Sequence, residues 1–212
     1  MERTRTNSSI SDKLNSVTTI QRDLLGAEVG HIVFNTDTNQ EEVYNGTSWV
    51  SNESGTGWAT YHDGLITTPT IVVGTSEVKL TIDGEGSASL ATQLPSGSAE
   101  LWDDEDFLII PNNNFDMYIL RLDLTVDSKT GSPTAITTTL DIGASEVTPL
   151  IPIVVRDITT TKTTPFNISI SYPVYTGTTF NANGGRFFLK VDTGTVTIGA
   201  RSITLAKIHS GR

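Results

Sequence analysis

The sequence contains no cysteine among its 212 residues. Disulfide bonds, thiolate catalysis and cysteine-based metal sites are therefore excluded. No apolar run approaches the ~18–20 residues of a membrane-spanning helix, and the segment from Met1 to Ile10 lacks the apolar core of a signal peptide. We therefore expect no membrane partner, and any role outside a cell would depend on host lysis or on assembly into a particle.

Clusters of positive charge are also missing. The formal net charge is -10, and the sequence pI is about 4.6. Phosphate binding requires clustered Lys and Arg that release counterions, so neither nucleic acid nor an anionic membrane is an expected partner. The negative charge instead favours solubility and suits a basic patch on a protein partner.

Patterns that carry catalysis or metal binding are weak or absent. The histidines, His31, His62 and His209, lie far apart without the spacing of metal ligands. The acidic run Asp103–Asp106 offers oxygen ligands but lacks the glycine turn and distal carboxylate of a calcium loop, so we interpret it as a solvated turn. No glycine-rich phosphate-binding motif occurs. We therefore predict a protein that is not an enzyme, with no catalytic, cofactor or metal site.

Residues 1–25 are predicted to form an anchoring arm. Residues 1–8 have little to bury, whereas Ser9 can cap a helix. The apolar positions that follow keep a roughly heptad-like spacing up to Gly26: Ile10, Leu14, Val17 and Leu24. Adjacent threonines and Gln21 weaken this seam, so a short helix or arm is favoured over an extended tether or a multichain coiled coil.

Residues 26–50 are predicted to form a small β-meander. Two short strands, His31–Phe34 and Glu42–Tyr44, flank a polar turn, and Asn45-Gly46 supplies a second turn because both residues tolerate positive φ. The apolar side chains are predicted to share one face: Ile32, Phe34, Val43, Tyr44 and Trp49. Because such a sheet has too little core to be stable alone, it should pack against sister copies or a following domain.

Residues 51–57 have the composition of a linker, and residues 58–212 are predicted to be an all-β domain. In this body, short apolar segments recur between turn residues at intervals typical of a sandwich or barrel. Its first strand begins at Trp58, which we expect to enter a core. The further predicted strands are Thr70–Val73, Val78–Ile82, Phe107–Ile110, Met117–Val126, Ala135–Ile142, Leu150–Val155, Phe166–Tyr172, Gly185–Val191 and Thr195–Ala206.

Alternation within these strands predicts antiparallel sheets with one buried face. From Tyr118 to Val126 every second residue is apolar, and Phe166–Tyr172 follows the same pattern. No segment after Leu25 has a helical period, which excludes a parallel α/β sheet and leaves a β-sandwich or jelly roll.

The loop before the Gly185 strand is a candidate contact site. Asn183-Gly184-Gly185 predicts a tight turn, and Phe180 is expected to be exposed or to lie between subunits. Such a loop can bind glycans or lock neighbouring subunits, and we favour the subunit contact. The candidate residues are Phe180, Asn181, Asn183 and Arg186.

The meander sequence, G-H-I-V-F-N-T-D-T-N-Q-E-E-V-Y-N-G-T-S-W-V, resembles an element of tailed-bacteriophage structural proteins. That element, G-x-I-x-Y-N-T-x-T-x-x-x-x-x-Y-[ND]-G-x-x-W, occurs in fibres, tail appendages and head-attached fibres. The matching positions are Gly30, Asn35, Thr36, Thr38, Tyr44, Asn45, Gly46 and Trp49, with Phe34 in place of Tyr. The resemblance covers about a tenth of the chain.

The body is similar in layout to the trimeric jelly rolls of the tumour-necrosis-factor and C1q type found on virion surfaces. The residues that carry this similarity are Trp58–Tyr61, the Tyr118 strand, and Phe180 to Leu189 with the final strand. The resemblance implies a homotrimer whose N-terminal region attaches to the particle and whose C-terminal domain faces outward. Three copies would then bury collar and trimer contacts, namely Ile32, Phe34, Tyr44, Trp49 and Trp58.

These observations favour a non-enzymatic virion protein, a trimeric capsid decoration or head-fibre protein. Its N-terminal region would bind the major capsid protein or another virion structural protein. The first alternative is a tail fibre or tail-tip adhesin that binds host surface glycan, and the second is a glycan-degrading enzyme. The sequence distinguishes neither capsid from tail nor one host from another.

Overall fold

A computed structural model of the chain describes residues 15–51, 55–64, 71–95 and 98–210. The chain divides into two compact units, Met1–Ser54 and Gly55–Arg212. The predicted anchor residues Ile10 and Leu14, and the predicted cap Ser9, lie outside the described residues. No helix among those described is long and apolar enough to cross a membrane.

The first unit is a four-stranded sheet with one short helix. Its sheet order is β1-β2-β3-β4, in which β1 pairs in parallel with β2 and the other neighbours are antiparallel. Gly30 and Gly46 precede β2 and β4 with φ of +87° and +99°, conformations that favour glycine. The elements are β1 (Ser16–Val17), α1 (Thr19–Asp23), β2 (Ile32–Asn35), β3 (Gln40–Tyr44) and β4 (Trp49–Ser51).

The predicted single apolar face of the meander is wrong. The strand register pairs Ile32 with Val43 and Val43 with Val50, whereas Tyr44 pairs with Trp49. Because side chains alternate along a strand, Ile32 and Val43 lie on one face while Tyr44 and Trp49 lie on the other. The apolar residues of this unit are thus divided between the two sides of the sheet.

Within the predicted anchoring arm or short helix of residues 1–25, the described residues 15–25 contain one short helix. Val17 lies in β1, and the helix α1 begins only after Thr18, whose side chain accepts a hydrogen bond from the Gln21 N–H. The Gln21 side chain in turn accepts from the Thr18 N–H, which completes a capping box. Leu24, expected on the anchoring seam, caps the helix at its C-terminus and is 81% exposed.

The second unit is an all-β sandwich with the strand order of a jelly roll, which confirms the predicted fold class. One sheet has the order β14-β11-β16-β5-β8, with β6 also paired to β16, and the other has the order β13-β12-β15-β7. The strands are β5 (Gly57–His62), β6 (Ile71–Val73), β7 (Val78–Lys79), β8 (Leu90–Gln93), β9 (Trp102–Asp103), β10 (Leu108–Ile109), β11 (Met117–Thr130), β12 (Ala135–Asp141), β13 (Pro152–Thr159), β14 (Phe166–Tyr175), β15 (Arg186–Val191) and β16 (Thr195–His209).

The core lies between the two sheets of this unit. The predicted alternation of β11 is confirmed, because every second side chain from Tyr118 to Val126 is buried. Residues of β15 on the opposite sheet, such as Phe187 and Leu189, join the same core. The first strand has the opposite phase from the one predicted: Ala59 and Tyr61 face the core, whereas Trp58 is 39% exposed.

Candidate interaction surface

The outer face of the larger sheet carries exposed side chains across several neighbouring strands. Its side chains form rows, because neighbouring strands are in register across β14, β11, β16 and β5. One row contains Pro173, Ile119, Ala206 and Trp58. A second, two residues farther along the strands, contains Ser171, Arg121, Thr204 and Thr60. The face therefore changes from apolar in the first row to polar in the second.

We call the first part the apolar half, defined as Trp58, Phe115, Met117, Ile119 and Tyr175. Ile119 is 42% exposed although it lies on a central strand of the sheet. The rings of Phe115 and Tyr175 are 5.8 Å apart and extend the surface beyond the strand ends. This half lies at the end of the unit where the chain enters, since Lys207 pairs with both Gly57 and Tyr118. Contiguous exposed apolar patches of this kind mark interaction surfaces.

A second apolar surface lies on the other sheet, at its edge strand β13. Ile153 and Val155 point away from the core on alternate positions, and Val155 is 53% exposed. Leu150 and Ile151 continue this surface before the strand begins. We call these four residues the edge patch. Edge strands with exposed apolar side chains readily pair with another chain.

Two buried ion pairs hold β16, one near its middle and one near its C-terminal end. Lys207 Nζ lies 2.9 Å from Asp116 Oδ2, and Arg201 Nε lies 2.6 Å from Asp63 Oδ2, with all four side chains almost completely buried. Burial also raises the pKa of the neighbouring Tyr118 to about 12, so its hydroxyl stays protonated. Because a buried charge without its partner is strongly unfavourable, these pairs fix the long strand that carries the outer face.

The predicted loop at residues 178–186 is placed differently from the sequence-based expectation. Residues Thr178–Asn183 form a helix, α2, although no helix was expected after Leu25. Phe180 is only 1% exposed and packs in the core, so the prediction of an exposed or intersubunit aromatic is wrong. A side chain at Gly185 would collide with the Phe180 ring at 2.7 Å, which explains the glycine.

Arg186 is also buried, against the expectation of an exposed binding residue. Its guanidinium lies 2.7 Å from Glu146 Oε1 and donates to the Asn183 carbonyl at 2.9 Å. Burial would raise the pKa of Glu146, but hydrogen bonding from Lys79 and the charge of Arg186 outweigh it and lower that pKa. Asn181 and Asn183 line a cavity of about 380 Å³ beside these groups. These contacts connect Arg186 to Glu146 and to the C-terminal end of α2, and their role is structural.

In the first unit, Asn35 belongs to a buried polar network. Asn35 Nδ2 donates to both oxygens of Glu42, each at 3.1 Å, and to Thr19 Oγ1 at 3.0 Å. Arg22 from α1 donates to the same carboxylate at 2.7 Å. Sequence reasoning missed Arg22 and Glu42. Their signal was the polar Asn35 at the end of an apolar strand, because an amide that is buried there requires a polar partner.

The predicted collar residues occupy both faces of this unit. Ile32 and Val50 are exposed on the face opposite Asn35 and Glu42, and Phe34 is partly buried there. Trp49 lies on the other face, with its ring 5.4 Å from Tyr44 and 5.7 Å from His31. The open apolar face therefore consists of Ile32, Phe34, Val43 and Val50.

The candidate chemical residues from the sequence are not assembled into one centre. Within residues 15–51, 55–64, 71–95 and 98–210, no group of three or more His, Asp or Glu side chains could hold a metal ion. His62 pairs with Ser202 and His209 with Met117, at opposite ends of their sheet. Asp103 Oδ1 accepts from the N–H groups of Glu105 and Asp106, as in an ordinary Asx turn.

No protein-family model and no curated protein matches the sequence. A solved structure of the PRD1 vertex protein P5 is similar, at 15% identity and a TM-score of 0.47, over 87% of this chain and 85% of that chain. Eiger TNF from S. frugiperda is similar at 11% identity and a TM-score of 0.40, over 74% and 95% of the two chains. A structure of Bacillus endospore appendages, described as disulfide-linked pili, shows 13% identity and a TM-score of 0.36, over 78% and 100%. The solved structures similar to this all-β chain thus include a vertex protein, a TNF protein and an appendage protein.

Proposed function

We propose that this chain is a non-enzymatic structural protein of a tailed-phage virion, a homotrimer that decorates the capsid or forms a head fibre. The observation that carries the proposal is the apolar half of the outer face. It presents large side chains at the centre of a sheet, and no other described element of the second unit covers them. The net charge of -10 favours solubility. An exposed apolar patch opposes it, and such patches mark surfaces that a partner covers.

The partner of the apolar half is a second copy of the same chain. Each second unit carries two apolar surfaces on different sheets, the apolar half and the edge patch. When the edge patch of one copy packs on the apolar half of the next, one contact covers both surfaces. Such a head-to-tail contact forms a ring if the rotation closes, and a three-fold rotation closes it with three copies. A foreign partner on one surface would leave the other uncovered.

The first unit supplies a collar in this assembly. Its open face carries Ile32, Phe34, Val43 and Val50, while the opposite face is occupied by α1 and the Asn35–Glu42 network. A sheet this small gains stability when copies bury such a face together. Tyr44 and Trp49 lie on the other side and stabilise the unit internally.

The N-terminal region attaches the trimer to the major capsid protein or to another virion structural protein. Ile20 in α1 and Leu24 at its C-cap are exposed large apolar residues and can contribute to that contact. Deletion should stop at residue 14, because Val17 and Arg22 belong to the fold of the first unit. Removing residues 1–14 together with Ile20→Ser and Leu24→Ser should abolish co-sedimentation with source particles. Retained attachment would contradict this location of the anchor.

Light scattering tests the assembly. The chain mass is 22.8 kDa, and the proposal expects three times this value for the wild-type protein. Ile119→Asp places a charge in the apolar half and should give the single-chain mass with an unchanged β-sheet circular dichroism spectrum. Thr75→Asp in an exposed segment after β6 is the matched control and should remain trimeric. A wild-type mass equal to one chain would overturn the proposal.

A further inference from the structure

The polar half of the outer face contains an open groove of about 350 Å³. Side chains from four neighbouring strands line it, chiefly His62, Arg121, Asp123, Asn167, Ser169 and Ser202. It lies on the same sheet as the apolar half, but farther from the end where the chain enters at Gly55. The assembly proposed above does not use these residues.

A β-bulge forms the floor of the groove. Leu124 pairs with Arg201, but the next pair along the strands joins Val126 to Ile198, so β16 contains an extra residue there. A Cβ atom at Gly199 would lie 2.1 Å from Asp127 Oδ2, so a larger residue at this bulge would displace the Asp127 side chain. Ala200 is displaced to the exposed side and lines the groove. Bulges interrupt a regular ladder and frequently shape binding sites.

The charged groups of the groove neutralise one another. Arg121 Nε lies 2.9 Å from Asp123 Oδ2. Arg201 is held at 2.6 Å by the buried Asp63 behind the groove. An anionic ligand would have to displace Asp123 and approach a chain of net charge -10, whereas an uncharged ligand would not.

The hydrogen-bonding groups around the Arg121–Asp123 pair also bond to one another or to that pair. Ser169 Oγ accepts from Arg121 Nε at 3.2 Å, and the Thr125 hydroxyl donates to Asn167 Oδ1 at 3.0 Å. The wall therefore presents hydroxyl, amide, carboxylate and guanidinium groups side by side, and together these donate and accept. Vicinal hydroxyl groups of a sugar both donate and accept, so they match such a wall.

We propose that this groove binds an uncharged saccharide. The ligand lies across β14 and β11, with its hydroxyl groups bonded to Asn167, Ser169 and the Arg121–Asp123 pair. This inference goes beyond the structural role proposed above, since a decoration protein needs no ligand. It gives the distal part of the jelly roll a binding function of the kind that a host-surface adhesin requires.

Saturation-transfer NMR on the full chain tests the inference with D-glucose, D-galactose, N-acetyl-D-glucosamine and L-rhamnose as probes, and D-glucuronate as the charged comparison. At least one neutral sugar should receive saturation, and glucuronate should bind more weakly. Asn167→Ala and Ser169→Ala should each weaken the affinity about tenfold, the effect of losing one good hydrogen bond. Ser171→Ala, on the same face of β14 but outside the groove, is the matched control and should bind as the wild type does.

Saturation of none of the neutral sugars overturns the inference, and so does undiminished binding by Asn167→Ala. Tighter binding of glucuronate than of every neutral sugar would also overturn it. Light scattering on the same samples separates this result from the proposed assembly. If the wild type is monomeric and binds a sugar through Asn167, the saccharide site stands and the trimer proposal fails. If the wild type is trimeric and binds no sugar, the trimer proposal stands and the saccharide site fails.

Discussion

The carboxylate of Asp192 accepts hydrogen bonds from residues at the start of β12 and holds them in place. Its strongest contact is the hydrogen bond from the Thr134 hydroxyl, and its Oδ1 also accepts from the N–H groups of Thr134, Ala135 and Thr193 at 3.0, 3.2 and 3.0 Å. These bonds favour the charged carboxylate and lower the pKa of Asp192 to about 2. One exposed side chain thereby joins the loop after β15 to the neighbouring strand.

Acid should weaken the fold through Asp192. The folded pKa lies below the ordinary value of 3.8, so the ionised group stabilises the protein above that value, and the contribution disappears as the pH falls through about 2. Asp192→Asn should lower the midpoint of urea unfolding at neutral pH and reduce the loss of stability between about pH 4 and about pH 2. Asp106→Asn, in the exposed acidic run, is the control. An identical pH dependence of Asp192→Asn and wild type would contradict this role.

Phe180 belongs to the core despite its polar neighbours in sequence. Phe180→Ala should lower the free energy of unfolding by about 3–5 kcal/mol, the usual cost of emptying a buried aromatic site. Phe115→Ala, on the exposed apolar half, should change it by only about 0.5 kcal/mol. Both are best measured by urea unfolding in the Ile119→Asp background, where self-association does not contribute. Equal effects would mean that Phe180 is not a core residue.

The sequence could not have predicted the position of Phe180. The helix α2 has six residues and one buried side chain, so it contains no repeated apolar spacing from which a helical period can be recognised. The run Asn183-Gly184-Gly185 suggested a tight turn instead. Phe180 is placed by its contact with Gly185 and with the core, and that contact depends on tertiary packing.

The hairpin of β2 and β3 owes its stability to a polar network more than to apolar area. Asn35 links Glu42 with Thr19, while Arg22 and Thr38 donate to the same carboxylate. This network thus describes how a small unit folds with little core.

Removal of the Asn35 amide should therefore loosen the first unit alone. Asn35→Ala leaves Glu42 buried with fewer donors, which should cost about 1–3 kcal/mol. Hydrogen exchange should accelerate at backbone amides of β2, β3 and β4 and remain unchanged in β11 and β16. Thr47→Ala, at the exposed turn, is the control. Faster exchange in the second unit would mean that the two units do not fold separately.

The long strands were predictable and the short ones were not. The strands β11 and β14 alternate over many residues, whereas β8 is four residues long with every side chain exposed, and β1 has only two residues. The apolar half had a signal in the sequence as well. On the outward positions of β11, Met117 and Ile119 are apolar, while Arg121 and Asp123 are polar. The groove had none, because it requires the register of β14 against β11 and the bulge in β16.

At the level of the whole molecule, the two apolar surfaces of the second unit distinguish a head-to-tail ring from a symmetric dimer. In a ring, the apolar half of each copy contacts the edge patch of the next, so the two surfaces are complementary. In a symmetric dimer formed through the apolar half alone, this surface packs against its own copy across the two-fold axis and the edge patch is not used. Ile119→Asp should disable only the first surface, and Val155→Asp only the second.

Each variant alone should then be monomeric, because every contact in the ring uses both surfaces. Mixed in equal amounts, the two variants retain one intact apolar half and one intact edge patch between them. The mixture should therefore form a one-to-one dimer, with twice the chain mass by light scattering, and should stop there because no intact surfaces remain. A symmetric contact through the apolar half would instead leave Val155→Asp dimeric by itself. That single measurement on Val155→Asp, made before mixing, decides between the two assemblies.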